Sequence, residues 1–85
     1  MTAMKNPKFI LVRNIKMIAN PNQTIRPDQK FAEDLEFSTS EFNFLLNRLE
    51  DQLEIKLDDN RLNKHKTVGE LLRFCETLVR TEGQA

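Results

Sequence analysis

The chain has 85 residues, of which 39% are hydrophobic and 31% are charged, with a formal net charge of zero and a single cysteine. This composition excludes a disordered chain and predicts one domain over residues 1–85, with a core at about 7–80 and a frayed tail at 81–85. An internal disulfide, a membrane span, a signal peptide and a basic nucleic-acid surface all lack their sequence patterns, so we expect a cytoplasmic monomer with no membrane or nucleic-acid partner.

The net charge of zero hides an uneven distribution of charge along the chain. Residues 1–30 carry six basic side chains and one acidic side chain, whereas residues 31–60 carry nine acidic and two basic ones. Residues 61–85 carry five basic and three acidic side chains. The acidic middle can attract a basic partner or fold back against the basic N-terminal part, and the sequence leaves both alternatives open.

The first predicted helix covers residues 6–20. Asn6 is a favoured N-cap residue, and Pro7 suits the first helical position, where its missing N–H removes no hydrogen bond. Pro21 ends the helix. The apolar side chains of this helix recur at helical spacing and comprise Leu11, Val12, Ile15 and Ile18.

Residues 21–37 show no sustained periodicity and contain two prolines, so they predict a long loop. A loop of this length in a small domain must be held by buried side chains. The apolar residues able to do so are Ile25, Phe31, Leu35 and Phe37.

The clearest predicted helix is the second, over residues 38–54. Ser38 and Glu41 form the S-x-x-E pattern of a capping box, in which the hydroxyl and the carboxylate each accept a hydrogen bond from a backbone N–H. The apolar stripe that follows has helical spacing and comprises Phe42, Leu45, Leu46, Leu49 and Leu53.

The rest of the chain predicts a connector and a last helix. Residues 55–66 read as the connector, with a short helical turn in the stretch DDNRLN, and residues 67–80 read as the last helix. Thr67 and Glu70 repeat the capping box. With no strand pattern, the prediction is an all-α four-helix bundle with a long loop between helices 1 and 2 and a short helix 3.

Three segments together resemble the acyl carrier protein family. Phe31-Ala32-Glu33-Asp34-Leu35 resembles the start of the family signature F-x-x-D-L-G-x-D-S-L. The segment LEDQLEIKL over 49–57 is similar to the family's L-E-E-x-F-x-x-x-I, and KTVGEL over 66–71 is similar to its T-T-V-x-x-L. The resemblance covers roughly residues 8–80 without large gaps, and it implies the family's carrier fold.

The sequence departs from the family at its attachment motif. In that family the serine of D-S-L receives 4′-phosphopantetheine from a transferase, and the thiol of this arm carries acyl groups. The signature's glycine falls on Glu36, and the motif D-S-L falls on Ser38, Thr39 and Ser40. Thr39 offers a secondary hydroxyl whose extra methyl crowds a pyrophosphate and restricts χ1.

A shift of one residue would place a serine at the attachment position. Ser38 is, however, required as the N-cap, and Ser40 points about 100° away from Thr39 on the helix. The resemblance therefore predicts a degenerate site in which Thr39, Ser38 or Ser40 could still take the arm.

The outward face of the second helix is the predicted partner surface. In acyl carriers this face is acidic and docks on basic patches of biosynthetic enzymes. Here Phe44 and Arg48 dilute the acidic character that Glu50, Asp51 and Glu54 keep. The predicted partner-binding residues are Glu41, Phe44, Asn47, Arg48 and Asp51.

No other residues assemble a catalytic or metal site in this sequence. His65 reads as a surface or half-buried residue, Cys75 as a small buried hydrophobe, and Asp58-Asp59 as a solvated pair. We therefore expect a protein that is not an enzyme and holds no metal.

The favoured interpretation is a carrier-like domain in fatty-acid, polyketide or related biosynthesis that acts through protein contacts rather than a covalent load. One alternative is a loaded carrier with 4′-phosphopantetheine on Thr39 or a neighbouring serine. A second alternative is an unrelated helical interaction domain.

Overall fold

The structure, a computed structural model, describes residues 6–19, 24–57 and 61–82. Three helices lie in these ranges: α1 (Pro7–Ile18), α2 (Thr39–Leu53) and α3 (Val68–Glu82). The described residues contain no strand, only an isolated antiparallel bridge between Lys30 and Thr67. The all-α class is confirmed, but the count of four helices is not. In the predicted short helix, residues 58–60 lie outside the described ranges, and residues 61–66 form turns without a helix.

The ends of the described helices follow from local sequence. The Asn6 side chain accepts from the backbone N–H of Phe9 at 3.2 Å, with Pro7 at the first position of α1. The capping box of α3 is present, because Glu70 Oε1 accepts from the N–H of Thr67 at 2.8 Å and Thr67 Oγ1 accepts from the N–H of Glu70 at 3.1 Å. Both predicted caps are confirmed, and Pro21, the predicted stop of α1, lies outside the described residues.

The core is built on α1, which lies against both α2 and α3. Its buried face meets the apolar stripes of the other two helices, as their 3.6-residue periodicity predicts. The side chains that are fully buried include Leu11, Ile15, Leu45, Leu49, Leu71 and Cys75. One polar residue, Asn14, is buried among them at 0% exposure.

The segment over residues 24–38 is held by backbone hydrogen bonds as well as by apolar side chains. Phe31 N–H donates to Lys66 O at 3.2 Å, and Val68 N–H donates to Gln29 O at 2.8 Å. Gly69 N–H donates to Pro27 O at 2.9 Å, and a Cβ at Gly69 would lie 3.1 Å from the same oxygen. The close approach favours a glycine there, and these bonds hold the residues leading into α2 against the start of α3.

The predicted anchors of this segment are confirmed in their burial. Phe31, Leu35 and Phe37 are buried, and Ile25 is half-buried against the core. The chain therefore enters α2 from a segment fixed on both sides, which sets the position of the three hydroxyl residues.

Candidate functional site

The hydroxyl of Ser38 is used to start α2. Ser38 Oγ accepts from the backbone N–H of Glu41 at 3.1 Å, while Glu41 Oε1 accepts from the N–H of Ser38 at 2.9 Å. These two bonds complete the predicted capping box. A transferase that modified this serine would act on the same oxygen that caps the helix.

The hydroxyls of the next two residues, Thr39 and Ser40, do not take part in the capping box. Thr39 and Ser40 are the first two residues of α2, and both are exposed. No residue in the described ranges forms a hydrogen bond with either hydroxyl. Thr39 therefore stands at an accessible helix N-terminus, and it differs from an attachment serine in its chemistry rather than in its exposure.

Glu36, two residues before the cap, has a strained backbone. Its φ is 58°, in the left-handed region that favours glycine. This is the position on which the glycine of the carrier signature falls. The chain therefore makes a left-handed turn before α2 with a glutamate rather than with glycine, the residue that adopts this conformation most readily.

Three phenylalanines pack under the entry to α2. The ring of Phe31 lies edge-on to those of Phe37 and Phe42, with centroid distances of 5.4 and 5.2 Å. All three side chains are buried, at 0%, 4% and 3% exposure in that order. The core next to the candidate site is therefore filled with aromatic rings that an inserted acyl chain would have to displace.

Other cavities lie away from the candidate site in the described part of the chain. One of about 370 Å³ is lined by Arg61 and by α3 side chains, and one of about 150 Å³ borders it. Another, of about 190 Å³, lies between α1, residues 25–27 and α3. None of the residues lining these three cavities belongs to α2.

The predicted partner residues on α2 differ in their environments. Phe44 is 49% exposed, and Asn47 and Asp51 are also exposed. Glu41 is exposed, but its carboxylate serves the capping box. Arg48 is half-buried, with its guanidinium carbon 5.7 Å from the centroid of the Phe44 ring.

A buried polar network, which the sequence analysis missed, holds Arg48. Arg48 Nε donates to Asn14 Oδ1 at 2.6 Å, and Asn14 Nδ2 donates to Gln52 Oε1 at 3.0 Å and to Ile10 O at 2.8 Å. The available signal was that Asn14 stands at helical spacing between Leu11 and Ile18, on the apolar stripe of α1.

Fewer carboxylates of α2 are available to a partner than its sequence suggests, because two of them accept hydrogen bonds from the backbone. Besides Glu41, Glu50 also faces its own backbone, because Glu50 Oε2 accepts from the N–H of Leu57 at 2.6 Å. Glu54 is the C-cap residue of α2, with a left-handed φ of 58°. Asp51 remains as the exposed acid beside Phe44 and Arg48 on the outward face.

The remaining candidates show no site chemistry. His65 is exposed, and its Nδ1 lies 2.8 Å from Glu33 Oε2; this hydrogen bond lowers the pKa of Glu33 below 4.5. Burial raises the pKa of the Cys75 thiol to about 12, so it stays protonated. Asp58 and Asp59 lie outside the described residues.

The described residues contain neither a cluster of metal ligands nor a helix able to span a membrane. Across residues 6–19, 24–57 and 61–82, no three His, Cys, Asp or Glu side chains come together as metal ligands. Within the same ranges, every helix is too short or too polar to cross a membrane.

A comparison with protein families matches this chain to one family model. The model for the phosphopantetheine attachment site matches residues 11–75, which is more than half of the chain and includes α2 in full. No curated protein and no solved structure matches the chain.

Proposed function

The chain belongs to the phosphopantetheine attachment family, and from this premise we propose that it acts through protein contacts of α2 without bearing the arm. The family match supports a domain of the carrier type, which is not catalytic, and it excludes an unrelated helical domain. The pathway proposed is fatty-acid, polyketide or related biosynthesis. The proposed partners are enzymes of that pathway that dock on Phe44, Arg48 and Asp51.

The observation that carries the proposal is the state of the hydroxyls at the start of α2. Members of this family normally carry 4′-phosphopantetheine, which is attached through a phosphodiester to a serine. Here the primary hydroxyl of Ser38 is held in the capping box, and the attachment position is Thr39, a secondary alcohol with a β-branched, stiff χ1. These residues do not fit the arm.

The surroundings of the site support the same conclusion. The acid that precedes the family's serine is absent, since Ser38 stands there, so a transferase loses a negative charge at this point. The buried rings of Phe31, Phe37 and Phe42 pack edge-on next to the site, so an acyl chain that entered the core there would have to displace them.

A loaded carrier is the second candidate, and one observation favours it. The Thr39 hydroxyl is exposed, and no described residue hydrogen-bonds to it, so its position is open to a transferase. The two candidates make opposite predictions for the mass of the treated protein.

The test is intact mass after incubation with coenzyme A, Mg²⁺ and a broad-specificity phosphopantetheinyl transferase. The native chain is expected to stay unchanged, whereas the triple variant Ser38→Asp, Thr39→Ser, Ser40→Leu restores the family motif and should gain the arm. Asp is as good an N-cap as Ser, so the variant keeps the start of α2. The single variant Thr39→Ser shows whether the secondary hydroxyl alone blocks transfer.

Each outcome decides between the candidates. Gain of the arm by the native chain, mapped to Thr39 or Ser40, would establish the loaded carrier. If only the triple variant gains the arm, the proposed contact function is supported, and the degenerate motif is the reason that the native chain is not modified. If the triple variant is also unmodified, the outward face of α2 excludes the transferase as well.

A further inference from the structure

The large apolar side chains that the described residues expose all lie on α1 and α2. They are Phe9 at 61%, Met17 at 59% and Phe44 at 49% exposure. Phe9, Arg13 and Met17 follow at i, i+4 and i+8 on α1, and so share one side of that helix. Single exposed apolar residues need no explanation, but a grouping on two neighbouring helices does.

Each exposed phenylalanine carries an arginine four residues later. The guanidinium carbon of Arg13 lies 5.3 Å from the centroid of the Phe9 ring, and that of Arg48 lies 5.7 Å from the centroid of Phe44. Both distances are within cation–π range. The same pairing thus occurs once on α1 and once on α2.

The two pairs meet in one hydrogen-bond network. Arg13 Nη2 donates to Gln52 Oε1 at 3.4 Å, and the same oxygen accepts from Asn14 Nδ2 at 3.0 Å. Asn14 in turn accepts from Arg48. The two Phe–Arg pairs are therefore joined across α1 and α2. Together with Met17, which is on the same side of α1 as Phe9 and Arg13, they are here named the Phe–Arg surface.

The charge of this surface is positive. α1 carries Lys8, Arg13 and Lys16 and no acidic residue. On α2 the carboxylates of Glu41 and Glu50 accept hydrogen bonds from their own chain, which leaves Asp51 as the exposed acid near Arg48. A matching partner must offer apolar side chains and negative charge together.

We propose that the Phe–Arg surface docks a protein segment whose apolar side chains are rimmed by carboxylates. The inference rests on the proposed function in taking α2 as a docking element. It adds α1 to the interface. It also requires a partner with negative charge, whereas an acidic docking helix would require a partner with positive charge. Phe9 and Phe44 enter the apolar part, and the guanidinium groups beside them pair with the carboxylates.

A protein segment fits this surface better than an anionic bilayer. Asp51, three residues after Arg48, and Glu54, the C-cap residue of α2, are exposed acids that would be repelled by the continuous negative charge of a membrane. A folded partner can place its carboxylates opposite the two arginines and away from these acids.

The test uses two synthetic helical peptides and the ¹⁵N-labelled full chain. Both peptides carry Leu and Phe at i, i+3, i+4 and i+7, and the rim is Glu in one peptide and Lys in the other. We expect the Glu peptide to shift the amide signals of residues 9–17 and 44–52. Phe44→Ala and Arg13→Gln should each weaken its binding about five- to tenfold. Arg73→Gln, an exposed arginine on α3, is the matched control and should leave binding unchanged.

Several results would overturn the inference. If only the Lys peptide shifts these amide signals, the proposed negative charge of the partner is wrong, although the proposal that α2 is a docking helix still holds. If neither peptide shifts them at millimolar concentration, the surface is no docking site, and the mass test still decides the proposed function separately. Stronger binding to phosphatidylcholine–phosphatidylglycerol vesicles, or a dimer in sedimentation that Phe44→Ala abolishes, would identify a membrane or a second copy as the occupant instead.

Discussion

Arg48 Nε donates to Oδ1 of Asn14 at 2.6 Å, which joins the middle of α2 to the middle of α1 across 34 positions of sequence. Asn14 is 0% exposed, and its side chain makes hydrogen bonds of 2.6, 2.8 and 3.0 Å to Arg48, Ile10 and Gln52. Buried polar groups cost free energy unless they are paired, so this amide depends on Arg48 and Gln52. The same bond orients the guanidinium that lies over Phe44.

We expect Asn14→Ala to lower the free energy of unfolding by about 2–3 kcal/mol. The substitution removes a hydrogen bond to a charged group and leaves the half-buried Arg48 without that partner. Urea denaturation followed by circular dichroism measures the change. Arg26→Ala is the control, because Arg26 makes an exposed ion pair with Asp28 at 3.6 Å and should change stability by less than about 0.5 kcal/mol.

A double-mutant cycle separates this bond from other effects of the two residues. Arg48→Ala and the double variant complete the cycle, and the double variant should lose less stability than the sum of the single variants. Additive losses would show that the two side chains act independently, in contradiction to the structure.

Glu36→Gly should stabilise the protein by about 0.5–1 kcal/mol. Glu36 has a φ of 58°, and this left-handed conformation costs a residue with a Cβ about 1–2 kcal/mol. Glycine avoids this cost, but it gives up part of the gain because its unfolded chain has more conformational entropy to lose on folding. Thermal and urea unfolding measure the gain. Glu76→Gly, at an exposed position within α3, is the matched control and should destabilise by about 1 kcal/mol.

The three hydroxyls at the start of α2 should differ in their effect on stability. Ser38→Ala removes the N-cap and should cost about 1 kcal/mol, whereas Thr39→Ala and Ser40→Ala should each stay within about 0.5 kcal/mol of the native protein. Ser38→Asp keeps an N-cap and should restore the loss. If Thr39→Ala were the destabilising change instead, the helix would start one residue later and Ser38 would be the accessible hydroxyl.

The features that the sequence predicts are those that depend only on residues within one or two helical turns of each other. The capping boxes of Ser38 with Glu41 and Thr67 with Glu70 each span four residues, so their pattern is complete in the local sequence. The apolar stripe of α2 is likewise read from its period alone. Exposure of Phe44 follows from that stripe, because the residue lies on the opposite side.

The features that were missed depend on residues far apart in the chain. The period of α1 identifies its buried face but not that Asn14 on this face meets Arg48. A count of acids on α2 does not reveal that Glu50 faces the N–H of Leu57. The close contact of Gly69 with Pro27 is equally invisible before the chain is folded. The contacts that join α1 to α2 through Asn14 therefore could not be predicted from the sequence.

The stability of the fold should depend on pH through the carboxyl groups of Glu33 and Glu70. The hydrogen bond from His65 lowers the pKa of Glu33, and the backbone N–H of Thr67 lowers the pKa of Glu70, both from an ordinary value of 4.5. A carboxyl whose pKa is lower in the folded state stabilises the fold fully above the unfolded value. This contribution is lost as the pH falls through the folded pKa. Unfolding free energies should therefore fall as the pH is lowered from about 4.5.

Titration of the side-chain carboxyl signals by NMR tests each group separately. Both midpoints should lie below 4.5, and His65→Ala should raise the midpoint of Glu33 while leaving that of Glu70 unchanged. Glu33→Gln and Glu70→Gln should each flatten the loss of stability below pH 4.5, because glutamine does not titrate. If the titration midpoint of Glu33 does not change in His65→Ala, the 2.8 Å contact between the two side chains does not persist in solution.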